Sequence, residues 1–424
     1  MKLNKKLFFK IHSWIGIKLS ILFFIVCFSG SLAALSNEMD WLLFPEIRAE
    51  FSEQYSSYNN RFHNVHNAFP QGKILYWSAS AAPYLCDIVH VLERGQRHYV
   101  FVNPYTGNVQ GATTLTFQRF FRDLHYFLFI PFQVGHFTVL IFAFVLLIST
   151  ITALLFYKKW WKKLFQLTLR KGKLAFYRSL HRLVGLWSVP FAILFSVTGI
   201  WYFIERTNIG GVSRIANPRS PKIEAIDSTV FATLSRDIDY DRAVAAAKRA
   251  IPGLQAKDIL PPNKPDVPLY INGISSVPLV RNRANRVFLH PSTYEIVGLQ
   301  EAKKISAVTW LNDIADPLHF GYWGGLLTKV MWFIGGMAIS ALVLTGIWTA
   351  LKRTVSKTGK QMLGVWKPIN LVLVILLTGF MYYFLVVKYA TSLRALSVIS
   401  VLLVLFFAAG WYIFDYRLGK RVIK

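Results

Sequence analysis

The feature that most restricts this chain is a set of long apolar runs. A helix needs roughly 20 apolar residues to cross a bilayer core about 30 Å thick. Six segments reach or approach that length: about Trp14 to Leu35, Phe132 to Tyr157, Leu183 to Ile204, Leu326 to Leu351, Ile369 to Val387 and Leu393 to Phe414. With 54% hydrophobic and 16% aromatic residues over 424 positions, the chain has more apolar surface than a soluble protein of its length needs to bury. The expected fold class is a mainly α-helical membrane protein with six transmembrane helices. The first run reads as a span and not as a cleaved signal peptide, because it is long for a signal's apolar region and SLAALSN makes only a weak cleavage site.

Basic residues give the orientation. Lys2, Lys5, Lys6 and Lys10 precede the first span, KKWWKK and RKGK lie between the second and third, LKRTVSKTGK follows the fourth, and RLGKRVIK closes the sequence. With six spans all of these fall on one side, which the positive-inside rule makes the cytoplasm. Topology and anionic headgroups then account for much of the net charge of +27, and nucleic-acid binding is not implied. Two longer segments, near 37–117 and 206–310, are left on the other side and read as two small folded domains. No GxGxxG follows a strand and no Walker sequence occurs, so a nucleotide-binding domain has no place in the chain.

The sequence also repeats itself. At an offset of 169, His12 falls on His181, Gly16 on Gly185 and Gly30 on Gly199. At an offset of 194, RDLHYF around His125 falls on DPLHFG around His319, and at 187, VFVNPYTGNVQG falls on VFLHPSTYEIVG, each reading as a β-hairpin. The architecture expected is a duplicated helix, outside domain, helix unit in parallel orientation, followed by an extra helical hairpin.

Duplication makes four histidines informative. His12 and His181 sit at the cytoplasmic ends of spans one and three; His125 and His319 sit near the outer ends of spans two and four. Two copies packed about a pseudo-twofold axis would face the inner histidines toward one another, and the outer ones likewise. Paired neutral imidazoles in a helix bundle suit axial ligation of haem iron, and Gly16, Gly30, Gly185 and Gly199 would let a flat macrocycle approach the backbone. Two b-type haems are therefore expected, without covalent attachment because no CxxCH is present. His125 precedes Tyr157 by 157 − 125 = 32 residues, roughly 48 Å of continuous helix, so either that helix projects outward or Pro131 breaks it. His136 is the reserve outer ligand, but its repeat position, 136 + 194 = 330, is Val330, and the duplication favours His125.

Other residues read as ordinary. Cys27 and Cys86 are too far apart in the layout to form a disulfide. His63, His66, His90 and His98 read as surface histidines. Trp41, Trp310, Tyr322 and Trp323 read as an interfacial aromatic belt, and DYDRAVAAAKRAIPGLQ as an amphipathic helix closed by Pro252-Gly253.

The His12 entry and its copy HRLVG, the LHY and LHF histidines, and the TG near the end of span four resemble PepSY-associated transmembrane-helix proteins. Residues 239–298 look like a PepSY domain, and the first outside domain is a more divergent match. The resemblance covers roughly the first 350 residues. Together with the apolar runs and basic loops, the expected layout is helix 1 over 1–36, a periplasmic PepSY-like α+β domain over 37–117, helix 2 over 118–158, a cytoplasmic loop over 159–180 and helix 3 over 181–205. A second PepSY-like domain over 206–310, helix 4 over 311–352, a loop over 353–367 and helices 5 and 6 over 368–424 complete the layout. Members of this family include inner-membrane ferric-siderophore reductases. By resemblance the chain is expected to be a haem-dependent ferric (siderophore) reductase of the bacterial inner membrane, both termini cytoplasmic, taking electrons from quinol or a protein donor. The alternative is a haem-free anchor presenting PepSY domains to a periplasmic protein.

Overall fold

A computed structural model describes residues 4–358 and 366–417. The termini and parts of the 353–367 loop and the basic tail that entered the orientation argument lie outside the described residues. In chain order the helices and strands are α1 (Lys5–Lys18), α2 (Ser20–Ala34), α3 (Ser36–Leu43), α4 (Tyr58–Ala68), β1 (Lys73–Ser78), β2 (Asp87–Glu93), β3 (Gln96–Val102), β4 (Val109–Thr113), α5 (Phe117–Phe127) and α6 (Phe132–Phe156). There follow α7 (Gly172–Trp187), α8 (Val189–Thr207), α9 (Val212–Ala216), α10 (Ser228–Asp237), α11 (Tyr240–Ala250), β5 (Gln255–Leu260), β6 (Leu269–Ile274), β7 (Asn285–Leu289) and β8 (Ile296–Gln300). The chain ends with α12 (Ala307–Phe320), α13 (Gly325–Thr358), α14 (Trp366–Tyr383) and α15 (Leu393–Trp411). Two units result: a helical one (1–35, 121–203, 324–424) and a sheet-bearing one (36–120, 204–323).

Among the described residues five helices are long and apolar enough to cross a membrane: Phe132–Phe156, Val189–Thr207, Tyr322–Arg353, Pro368–Lys388 and Leu393–Phe414. A bent pair, Lys5–Lys18 with Ser20–Ala34, makes a sixth if counted as one span. The expected spans from Trp14 and from Leu183 are thereby corrected. The first is bent by 74° at Leu19. The third is interrupted at Ser188, the repeat-related position (19 + 169 = 188). Local chemistry explains both: the Ser20 hydroxyl donates to the Ile17 carbonyl, the Ser188 hydroxyl donates to the Val184 carbonyl, and Pro190 follows without an N–H to give. His12 therefore rides on α1, ahead of the bend, and His181 on α7, ahead of the interruption at Ser188.

α13 packs on α2 and α7, and α1 packs on α6. At the α2–α13 contact the Ser31 side chain fills the space a Cβ at Gly336 would need, so small residues set the close approach. Ile15, Phe23, Val26, Leu128, Phe142 and Val343 form the buried centre. α5 and α6 are not one helix: the chain turns through Leu128 and Phe129, both at positive φ (58° and 56°), and Pro131 caps α6. The break answers the length problem of the second span.

In the sheet-bearing unit the two segments between the apolar helices share one antiparallel sheet, ordered β4-β3-β2-β1-β5-β6-β7-β8. Each segment supplies four strands, and β1 joins β5 through Trp77↔Ile259 and Ser78↔Asp258. α4 and α11 cover one face of a common core that includes Phe62, Trp77, Tyr240, Ile259 and Ile271, with the Phe62 and Tyr240 rings stacked at 3.6 Å. Both expected hairpins form, with matching turns. The Asn103 side chain accepts from the Tyr105 and Thr106 N–H groups, and at the repeat position (103 + 187 = 290) His290 accepts from Ser292 and Thr293. Gly107 and Tyr294 (107 + 187) both take positive φ there. The amphipathic α11 begins at the Asp239 cap as expected. His66 and His90 are buried, against expectation: His66 Nε2 meets the Ser235 carbonyl at 3.1 Å, and the His90 ring lies on Tyr76 at 3.9 Å.

Candidate functional site

The structure brings His12 and His181 together. Their ring centres are 6.3 Å apart with planes at 78°. Each ring is fixed through Nδ1. His12 Nδ1 lies 3.0 Å from the Ser149 carbonyl oxygen, an acceptor only, so that nitrogen carries the proton. His181 Nδ1 lies 3.0 Å from Thr345 Oγ1, whose own hydrogen goes to the Ala341 carbonyl at 2.8 Å, so here too Nδ1 donates. Both imidazoles are thus held in the tautomer with a lone pair on Nε2, the form in which histidine binds metals. Neither Nε2 makes a hydrogen bond among the described residues.

Both rings line a cavity of about 310 Å³, at the lower end of the range for cofactor pockets. Its walls are largely apolar, contributed by side chains such as Phe23, Leu146 and Val343. Gly16 faces open space in it, and a Cβ on Gly346 would come within 3.3 Å of His181 Cε1. Three arginines, Arg178, Arg182 and Arg353, also line it, and among the described residues no aspartate or glutamate does. Arg182 is pinned by Tyr157 Oη and the Gln166 carbonyl, while its buried Nε has no partner. The site therefore combines two metal-type nitrogens, an apolar interior and uncompensated positive charge.

This donor set fits a haem. His12 and His181 would hold one metal through their Nε2 atoms: with nitrogen about 2.0 Å from the metal and each ring centre roughly 1 Å beyond, the two centres could lie no more than roughly 6 Å apart, close to the 6.3 Å between them. Among the described residues no group of three or more His, Cys, Asp or Glu side chains could hold a metal ion. Two imidazoles suit a metal that brings its remaining ligands with it, and the arginines suit the carboxylates that a haem carries at its edge.

The other expected ligands lie apart from this cavity. His125, on α5 in the helical unit, donates from Nδ1 to the Val26 carbonyl at 2.8 Å and is seated on Gly30, where a Cβ would lie 2.7 Å from its Cε1. His136, one turn into α6, is 4% exposed, with Nδ1 3.2 Å from the Tyr126 carbonyl and its ring against Phe132. His319 belongs to the sheet-bearing unit, in the last turn of α12 before Gly321. Arg281 binds Asp313 and Asp316 of that helix at 2.6 and 2.8 Å, and Arg283 binds Asp313 at 2.9 Å. Of the four glycines expected to admit a macrocycle, Gly16 and Gly185 line the cavity, whereas Gly30 seats His125 and Gly199 meets Ala143.

Sequence reasoning missed Ser149, the role of Thr345-Gly346, and the arginines. Two signals were present. The TG pair is the hydrogen-bond partner and the floor of His181, and in RSLHR the arginines at 178 and 182 lie one turn apart, flanking His181 on the same helix.

The fold and site define a multi-pass, mostly helical membrane protein with a separate antiparallel sheet domain and a paired-histidine cavity among its helices. The chain matches the PepSY-associated TM region over residues 9–353, most of its length, and it belongs to that family. No curated protein matches it. The matched region ends before α14 and α15.

Proposed function

We propose that the protein is a haem-carrying electron conduit of the bacterial inner membrane that reduces a ferric siderophore in the periplasm. The observation that carries this reading is the His12–His181 pair, two Nε2 lone pairs with ring centres 6.3 Å apart in an apolar cavity edged by arginine. When bound there, haem supplies reversible one-electron chemistry. His12 and His181 would hold the iron through Nε2, Ser149 and Thr345 fix both tautomers, and the apolar walls keep water away. Arg178, Arg182 and Arg353 would neutralise the carboxylate edge. A second haem is assigned to His125 and His319 on the strength of the sequence repeat, with His136 in reserve. Quinol or a protein donor on the cytoplasmic side gives up the electron, and Fe(III) of the chelate becomes Fe(II).

A haem-free PepSY anchor gives the paired tautomers and the uncompensated arginines nothing to do. Sealed vesicles separate the readings. Purified protein is reconstituted with a quinol inside and a ferric hydroxamate plus a ferrous-specific chelator outside. Ferrous complex forming well above the rate of empty vesicles supports the reductase; haem-loaded protein that never exceeds that rate contradicts it.

A further inference from the structure

The helical hairpin of α14 and α15 has no counterpart in the duplication and lies outside the family-matched region. It is nevertheless docked with care. Phe406 packs on Phe24 and Phe28 of α2 at 5.9 and 6.5 Å. At the other end of the hairpin, α14 finishes in a π-helical turn, Phe384–Lys388, a distortion that marks functional sites more often than chance. That turn places Phe384 against Phe127 and Phe129, and it delivers Tyr389, only 5% exposed, into the interior.

Tyr389 Oη donates to Asp123 Oδ2 at 2.6 Å. Asp123, 4% exposed, is on α5 two residues before His125, and its other oxygen is bound by the neighbouring Arg122. Two residues along a helix point to nearly opposite faces. So α5 is gripped on both sides: Tyr389 holds the Asp123 face, and the Val26 carbonyl with Gly30 holds the His125 face. Asp123 is also a feature of one repeat alone. Its equivalent, 123 + 194 = 317, is Pro317, which has no side-chain acceptor. The two parts of the helical unit that break the duplication therefore meet in one short hydrogen bond.

We infer that the terminal hairpin is a clamp for the histidine-bearing helix α5, with Tyr389 as a positioning residue that fixes His125 through Asp123. As a statement about His125 as an iron ligand, this rests on the function proposed above; as a statement about α5, it does not. A clamp of this kind acts on one copy of the duplicated framework, so its removal should perturb one redox centre and spare the other.

The test uses the full chain with Tyr389→Phe, which removes one hydroxyl. Tyr383→Phe is the control, the same change at an exposed tyrosine of the same hairpin. Hydrogen exchange of residues 121–127 and the low-spin haem signals by electron paramagnetic resonance are recorded for each. The clamp predicts faster exchange in that segment and a shift in one of two haem signals for Tyr389→Phe, and native behaviour for Tyr383→Phe. Outer-haem affinity should fall roughly tenfold, the scale of other outer-shell losses. Unchanged exchange in Tyr389→Phe, or equal shifts in both haem signals, overturns the proposal. If the native protein carries no haem, the proposed function fails, and the exchange result alone decides the clamp.

Discussion

The two inner histidines are related by the duplication, yet they are held by different chemistry. His12 Nδ1 lies nearest the Ser149 carbonyl, at 3.0 Å, with the hydroxyl of the same residue at 3.2 Å, whereas His181 Nδ1 lies 3.0 Å from the hydroxyl of Thr345, with a backbone contact at Leu342. Their surroundings follow the same division: Gly16 opens onto cavity space, while the His181 ring lies close over Gly346. A duplicated framework can thus keep two functional groups symmetric through non-equivalent supports. The outer ends diverge further. Asp123 and His136 of the first copy have Pro317 and Val330 at the repeat positions, and Asp123 accepts a hydrogen bond from Tyr389 of the terminal hairpin.

The largest effect should come from the histidines themselves. His12→Ala and His181→Ala should each remove one haem, leaving one per chain. Unequal losses by absorbance per protein would break the claim that the pair acts as a unit. Next come the supports, which should not be equal. Thr345→Ala takes away the side-chain acceptor of His181, leaving its backbone contact at Leu342, and should lower inner-haem affinity by roughly tenfold, the low end of the usual outer-shell scale. Ser149→Ala leaves the carbonyl in place and should stay near native, so equal effects in a haem titration would erase the contrast.

Steric supports come third. Gly30→Ala places a methyl 2.7 Å from His125 Cε1, and Gly199→Ala one at the same distance from the Ala143 Cβ. Overpacking of this kind costs about 1–3 kcal/mol. Only the change at Gly30 should also disturb the outer haem spectrum, and a melt with paired spectra sharpens or removes that distinction.

The last effect is one of pH, and it acts on stability alone. Asp40, 2% exposed, caps α5 by accepting from the Phe117 and Gln118 N–H groups at 2.6 and 3.2 Å. Burial pushes its carboxyl up to about 7, although those two N–H groups pull it down. The folded chain then retains a proton that the unfolded chain releases near pH 4. Stability should fall as pH rises from about 4 to about 7 and level off above. Asp40→Asn keeps an acceptor and should flatten that slope; thermal melts of equal slope in both proteins would count against it.

Much of this was legible in the sequence. Apolar runs are long and unambiguous, so four spans among the described residues, Phe132–Phe156, Tyr322–Arg353, Pro368–Lys388 and Leu393–Phe414, sit within a few residues of where composition places them. The inner pair followed from one repeat offset, because duplication turns two lone histidines into a facing pair. The interruptions at Leu19 and Ser188 were not legible, since a single serine in an apolar run looks like any other small residue until its hydroxyl competes for a helix carbonyl. The joining of the outside segments into one sheet also escaped, because the β1–β5 pairing links strands about 180 residues apart and leaves no local pattern. The arginines were visible, but as topology charges; their role emerges only when the cavity wall is seen to hold no acid.

The central claim is that the His12–His181 cavity holds haem, and the most direct measurement is haem-to-protein stoichiometry of the detergent-purified chain with a reduced-minus-oxidised spectrum. The account predicts two b-type haems per native chain with low-spin bis-histidine spectra, and one in His181→Ala. A native chain that carries no haem after expression with ample haem supply, or a His181→Ala chain with undiminished haem, would contradict it.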